Sequence, residues 1–135
     1  MSDGYSHITC YFPPSPALEL HLCAPDSMQR CGPLPALVDT GADMTLIPLT
    51  HLEQIGAPEL DEAGLRSHWG DYTPMTTYLV DIQFSTGILP GIAVVGDLYG
   101  NEILLGRNVL NKMLLLIDGP CQITDVLTRC PRGLA

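Results

Sequence analysis

Basic residues are scarce in this chain. Six Lys plus Arg stand against fifteen Asp plus Glu in 135 residues, a formal charge of −9, and no basic cluster offsets that sum. Binding to a phosphate backbone depends on Lys and Arg releasing counterions, so a nucleic-acid partner is not expected, whereas cationic partners or substrates are favoured by the field. Aromatic residues are also few, with five Tyr, two Phe and one Trp. Beside thirteen Gly and twelve Pro, this points to many turns and a core of small aliphatics, an all-β or β-rich fold rather than a helix bundle. No apolar run approaches the roughly 18 residues that span a bilayer. The opening MSDGYSHITCYFPP carries no basic stretch followed by an apolar one, so no secretory leader or membrane association is expected. The five cysteines are odd in number and contain no C-x-x-C pair. They signal neither a disulfide framework nor a zinc ribbon, and reduced thiols in a cytoplasmic protein are the expectation. His21, Cys23 and Cys31 lack the tight paired spacing of a zinc site, so neither metal nor cofactor is expected.

What is present is a succession of short β-forming runs. His7 to Phe12 and Ala17 to Cys23 read as two strands parted by Pro13, Pro14 and Pro16. Ala24 to Pro35 reads as a loop, and Ala36-Leu37-Val38 as a buried strand that stops at Asp39-Thr40-Gly41. Thr45-Leu46-Ile47 resumes β character. Pro48 then opens a short helix, LTHLEQI, which Gly56 stops. Ala57 to Gly64 is acidic and loop-like. Leu65 to Trp69 and Tyr72 to Phe84 frame Gly70-Asp71 as a hairpin with an exposed tip. Phe84 to Val95 repeats the theme around Ser85-Thr86-Gly87. Ile103-Leu104-Leu105 is a further strand ending at Gly106, Arg107 to Met113 is a helical stretch, and Leu114 to Ile117 and Ile123 to Leu127 close the chain. With no repeat or linker, residues 1–135 read as one domain.

The D-T-G triplet alone would arise by chance in about one chain in fifteen of such composition. Its setting is more telling: an apolar strand before it, small Ala42 after it, a β-branched strand next, and a second apolar-strand-then-glycine element further on. Taken together, Ala36 to Ile47 and Ile103-Leu104-Leu105-Gly106-Arg107-Asn108-Val109-Leu110 resemble the two motifs of the retropepsin-like aspartic proteases, in the family's order and with a hairpin between them where the family has its flap. The helix after the first motif is similar to that of single-domain cellular and prokaryotic members.

The resemblance implies a closed, barrel-like all-β fold with one or two short helices and a flap hairpin. It also implies an aspartic endopeptidase that cuts extended polypeptides with a water held between two carboxylates. Such a pair shares one proton, so each partner serves as acid and base in turn. D-T-G occurs once here. The second carboxylate would therefore come from another copy, which makes a homodimer the expectation by counting. By the same resemblance Asp39, Thr40 and Gly41 are catalytic, with Thr40 locking the two loops together, and Ala42 and Asp43 line the cleft. Asp43 would form an ion pair with Arg107. Gly106, Arg107 and Asn108 form a structural second motif, and Trp69, Gly70 and Tyr72 of the flap close over substrate. No histidine is required by this chemistry, and no G-x-S-x-G supports a serine nucleophile. The alternative is a catalytically silent dimerisation or peptide-binding module on the same fold.

Overall fold

The computed structural model describes residues 4–66 and 72–128, and for 61–66 and 72–74 the backbone alone. Ten strands and two short helices follow one another: β1 (Tyr5–Ser6), β2 (Ala17–Cys23), β3 (Arg30–Val38), β4 (Leu46–Pro48), α1 (Leu49–Ile55), β5 (Glu59–Arg66), β6 (Tyr72–Phe84), β7 (Gly87–Asp97), β8 (Ile103–Leu105), α2 (Arg107–Leu110), β9 (Leu114–Asp118) and β10 (Ile123–Leu127). Seven strands form one sheet in the order β2-β3-β8-β4-β7-β6-β5, and β2 pairs back onto β6. That last pairing closes six of them into a barrel and leaves β5 outside it, attached to β6 alone. The expected all-β, barrel-like architecture is therefore observed. A second sheet, β1-β10-β9, joins the two ends of the described chain.

Alternation along the strands fills the barrel. Leu18, Leu20 and Leu22 of β2 are buried while Glu19 between them is exposed, and Tyr78, Val80, Ile82 and Phe84 of β6 repeat the period of two. These residues join Ile47, Leu52, Val94, Ile103, Leu105 and Val109 in one core. Helix α1 lays Leu52 and Ile55 onto it. The helix stops where Gly56 turns left-handed at φ 65°, with the N–H groups of Gly56 and Ala57 returning to the carbonyls of Glu53 and Leu52.

Several boundaries differ from those read in the sequence. Residues 57–64 are not a loop throughout, because Glu59 already begins β5. β5 is the outer strand of its sheet, and an edge tolerates acidic side chains that a central strand would not. β3 begins at Arg30 rather than Ala36, despite Pro33 and Pro35. The Val38 N–H points to the β2 side, where it meets the Pro16 carbonyl at 3.1 Å. By alternation the Pro35 nitrogen faces the other edge, which β8 covers only over Ala36–Val38, and Pro33 falls where the β2–β3 register shifts between the Leu20–Leu34 and Leu22–Cys31 pairs, so neither missing N–H interrupts a regular ladder. The first strand is Tyr5–Ser6 instead of His7 to Phe12; beyond it Ile8 makes a lone bridge to Ser15 across the turn that holds Pro13 and Pro14. The helical stretch expected over Arg107 to Met113 is shorter, ending at Leu110.

β6, thirteen residues long, belongs to two structures at once. On one edge β7 accompanies it from Thr77 to Phe84. On the other it pairs first with β5, from Tyr72 to Tyr78, and then with β2, from Asp81 to Gln83. Among the described residues no helix is long and apolar enough to cross a membrane.

Candidate active site

Strands β3 and β8 run parallel, with Leu37 beside Leu104 and Val38 beside Leu105. Asp39 is the first residue past β3, and its N–H continues the ladder to the Leu105 carbonyl at 3.0 Å. The backbone then turns back on the side chain. Gly41 N–H donates to Asp39 Oδ1 at 3.0 Å and Ala42 N–H to the Asp39 carbonyl at 3.2 Å, an Asx-type turn that holds one carboxylate oxygen and leaves the other open among the described residues. Asp39 is half-buried, while Thr40 and Gly41 are exposed. A Cβ at Gly41 would lie 3.3 Å from Asp39 Oδ1, so glycine keeps the approach to the carboxylate clear.

Beneath this turn the two motifs interlock. Thr45 is fully buried and its hydroxyl is used twice, accepting from the Gly106 N–H at 3.0 Å and donating to Asn108 Oδ1 at 2.8 Å. Asn108 Oδ1 also accepts from the Thr45 N–H at 3.0 Å, while its Nδ2 donates to the Ala93 carbonyl of β7 at 2.8 Å. One amide thus ties the first loop, the second loop and the barrel wall. Gly106 permits the crossing, since a Cβ there would sit 2.5 Å from the Met44 carbonyl carbon and oxygen. Two backbone bonds complete the junction: Arg107 N–H to the Ala42 carbonyl at 2.8 Å and Asn108 N–H to the Asp43 carbonyl at 3.2 Å.

The structure therefore brings Asp39, Thr40, Gly41, Ala42 and Asp43 together with Gly106, Arg107 and Asn108. One expected contact is different. Arg107 directs its Nη1 to the Thr40 carbonyl at 2.8 Å, and among the described residues no ion pair joins it to Asp43, whose exposed side chain is left to solvent. The D-T-G turn presents an outward carbonyl closer to hand than the carboxylate, and that bond fixes the turn's tip directly. Trp69 and Gly70 lie outside the described residues. Tyr72 opens β6 opposite Arg66, so the expected hairpin is present up to its tip.

Thr45 and Ala93 are the site's supporting residues that the sequence reading missed. A threonine amid an apolar run, in step with buried Ile47, is the available signal for Thr45; the bond to Ala93 comes from a backbone carbonyl and has none. Among the described residues, His21 lies in β2, His51 in α1, and His7, expected at the surface or in a strand, is buried beside β1; His68 lies outside them. Cys10, Cys23, Cys31 and Cys121 are free thiols. Among the described residues no group of three or more His, Cys, Asp or Glu is placed to hold a metal ion.

Neither a protein-family model nor a curated protein matches the sequence. Solved structures do match. The EIAV protease in complex with the inhibitor HBY-793 aligns over 73% of this chain and 86% of its own, at 20% identity and a TM-score of 0.53. A retropepsin-like aspartic protease from Rickettsia conorii aligns over 82% of this chain and 95% of its own, at 14% identity and a TM-score of 0.47. A closed six-stranded barrel with two interlocked loops at one end, superposable on the first of these, gives the chain the fold of the retropepsin-like aspartic proteases.

Proposed function

We propose that this protein is an aspartic endopeptidase, residues 1–135 forming one protease domain that acts as a homodimer on extended polypeptides. The observation that carries the reading is Asp39 itself: a half-buried carboxylate at the end of a core strand, one oxygen fixed by the Gly41 amide and the other open. One carboxylate cannot both activate water and protonate a carbonyl oxygen. Two of them, close enough that both cannot ionise, share a proton and do both, with macroscopic pKa values belonging to the pair. A two-fold axis between two Asp39 side chains supplies that pair.

In this reading exposed Thr40 faces the partner loop and locks it, Gly41 and Ala42 leave room for a peptide strand, and Asp43 presents its carboxylate to the substrate. Gly106, Arg107 and Asn108 hold the first loop in place. The β5–β6 hairpin serves as the flap, carrying Trp69, Gly70 and Tyr72 toward a substrate that binds as an added strand. Support for the dimer comes from β9, the outer strand of its sheet, which exposes Leu116 and Ile117. An apolar edge that is unpaired among the described residues is a surface that a second chain can cover.

The test is cleavage of a mixed peptide library between about pH 3 and pH 7 by the wild type and by Asp39→Asn, across a range of protein concentrations. Activity that is lost in the variant and rises more than linearly with concentration is expected. Equal results from both proteins, with the variant folded and dimeric, would replace the enzyme by a silent peptide-binding module.

A further inference from the structure

A cavity of about 230 Å³ opens along the strand that delivers Asp39, with Leu34, Pro35 and Leu37 of β3 and Ile103 of β8 as its apolar wall. Its polar end is Glu102, whose carboxylate accepts a hydrogen bond from the Tyr11 hydroxyl. Among the described residues no Lys or Arg lines it, and His51 is the one basic side chain at its rim. Leu37 stands two positions before Asp39 on the same strand, roughly 7 Å along it. An extended peptide cut at Asp39 would therefore bring a side chain within about three positions of the bond to this cavity.

From this geometry we infer that the cavity is a specificity subsite for a long basic side chain, lysine or arginine, of the substrate. This inference rests on the endopeptidase reading. The methylene stem of such a residue matches the aliphatic wall, and its cationic head reaches the Glu102 carboxylate. Tyr11 uses its single proton on Glu102, and a carboxylate has acceptor sites to spare for a second donor. The net charge of −9 adds long-range attraction for the same cation.

Two readouts test it. In cleavage assays, peptides carrying lysine or norleucine at each of three positions on either side of the bond are compared, and lysine at one position is expected to raise kcat/KM by about fivefold. Glu102→Gln is expected to bring that ratio to near one. Tyr11→Phe, which keeps the carboxylate, is expected to preserve it. The second readout needs no catalysis: titration of the protein with N-acetyl-lysine methylamide and with its norleucine analogue, following the Leu37 and Ile103 methyl resonances. The lysine compound should move them at lower concentration, and the advantage should vanish in Glu102→Gln. Cleavage indifferent to lysine at every position, a lysine preference that survives Glu102→Gln, or norleucine equal to lysine in the titration would each overturn the inference. Absence of cleavage of every peptide would instead remove the endopeptidase reading, and the titration alone would then decide whether the cavity takes a cation.

Discussion

Two polar regions of this molecule are buried to a similar depth and finished very differently. Where the two motifs cross, Thr45 and Asn108 engage every partner within reach, in bonds of 2.8 to 3.0 Å. In and beside the sheet β1-β10-β9, His7 Nε2, Thr124 Oγ1 and Asp125 Oδ1 are buried with no hydrogen-bond partner among the described residues, and Leu116, Ile117 and Ile123 are exposed. Leaving a buried polar group unpaired is unfavourable by about 1–3 kcal/mol. The crossing is complete within one chain; the terminal sheet has both unmet polar groups inside and apolar surface outside. Fixed loop geometry is concentrated at the first, and unsatisfied surface at the second.

Substitutions can sharpen or break this contrast. Asn108→Ala should be the most damaging, lowering the unfolding free energy by about 3 kcal/mol in urea titrations, because it strands the Thr45 N–H and hydroxyl and the Ala93 carbonyl together. A loss below about 1 kcal/mol would mean that the crossing is held by its backbone bonds alone. At the other region, Leu116→Lys with Ile117→Lys should raise the dissociation constant of the proposed dimer about tenfold or more in sedimentation, equivalent to about 1.4 kcal/mol, with the thermal midpoint of the monomer unmoved. Thr124→Val should leave the protein unchanged or more stable by about 1 kcal/mol, since it removes an unpaired hydroxyl; marked destabilisation would show that the hydroxyl has a partner after all.

The smallest effect is expected at Tyr78, a phenol whose pKa is raised above its ordinary value by burial first, then by the charges of Glu59 and Glu53 and by its hydrogen bond to Glu59. Because the folded state holds this proton more tightly, the stabilisation is fully present below about pH 10, the unfolded value, and declines as pH rises through the folded one. Tyr78→Phe should flatten that alkaline decline in stability measured from pH 8 to 12.

Much of the site was legible because its signals are local. A strand that ends in D-T-G, and another that ends in G-R-N, each announce a turn with a polar load. What joins them was not legible: Thr45 and Asn108 meet across the fold, and neither segment names its partner. The misread strands have the same origin. Glu59, Asp61 and Glu62 argue for solvent, and solvent is what an edge strand offers; Pro33 and Pro35 argue against a sheet, and they survive because Pro35 faces the side of β3 that β8 leaves open and Pro33 sits where the register shifts. β-forming runs bounded by turn residues placed β2 and β6 at their observed limits, since both a strand's residues and its end signals are local.

The divided loyalty of β6 has a mechanical side. A single stiff strand passes from the hairpin to the barrel's closing seam, changing neighbours between Tyr78 and Asp81. Load applied at the hairpin is transmitted to the three residue pairs His21–Gln83, Leu22–Ile82 and Cys23–Asp81 that shut the barrel. That seam acts as the hinge plate of the hairpin, and amide exchange at His21 to Cys23 would serve as a remote gauge of whether the hairpin is engaged.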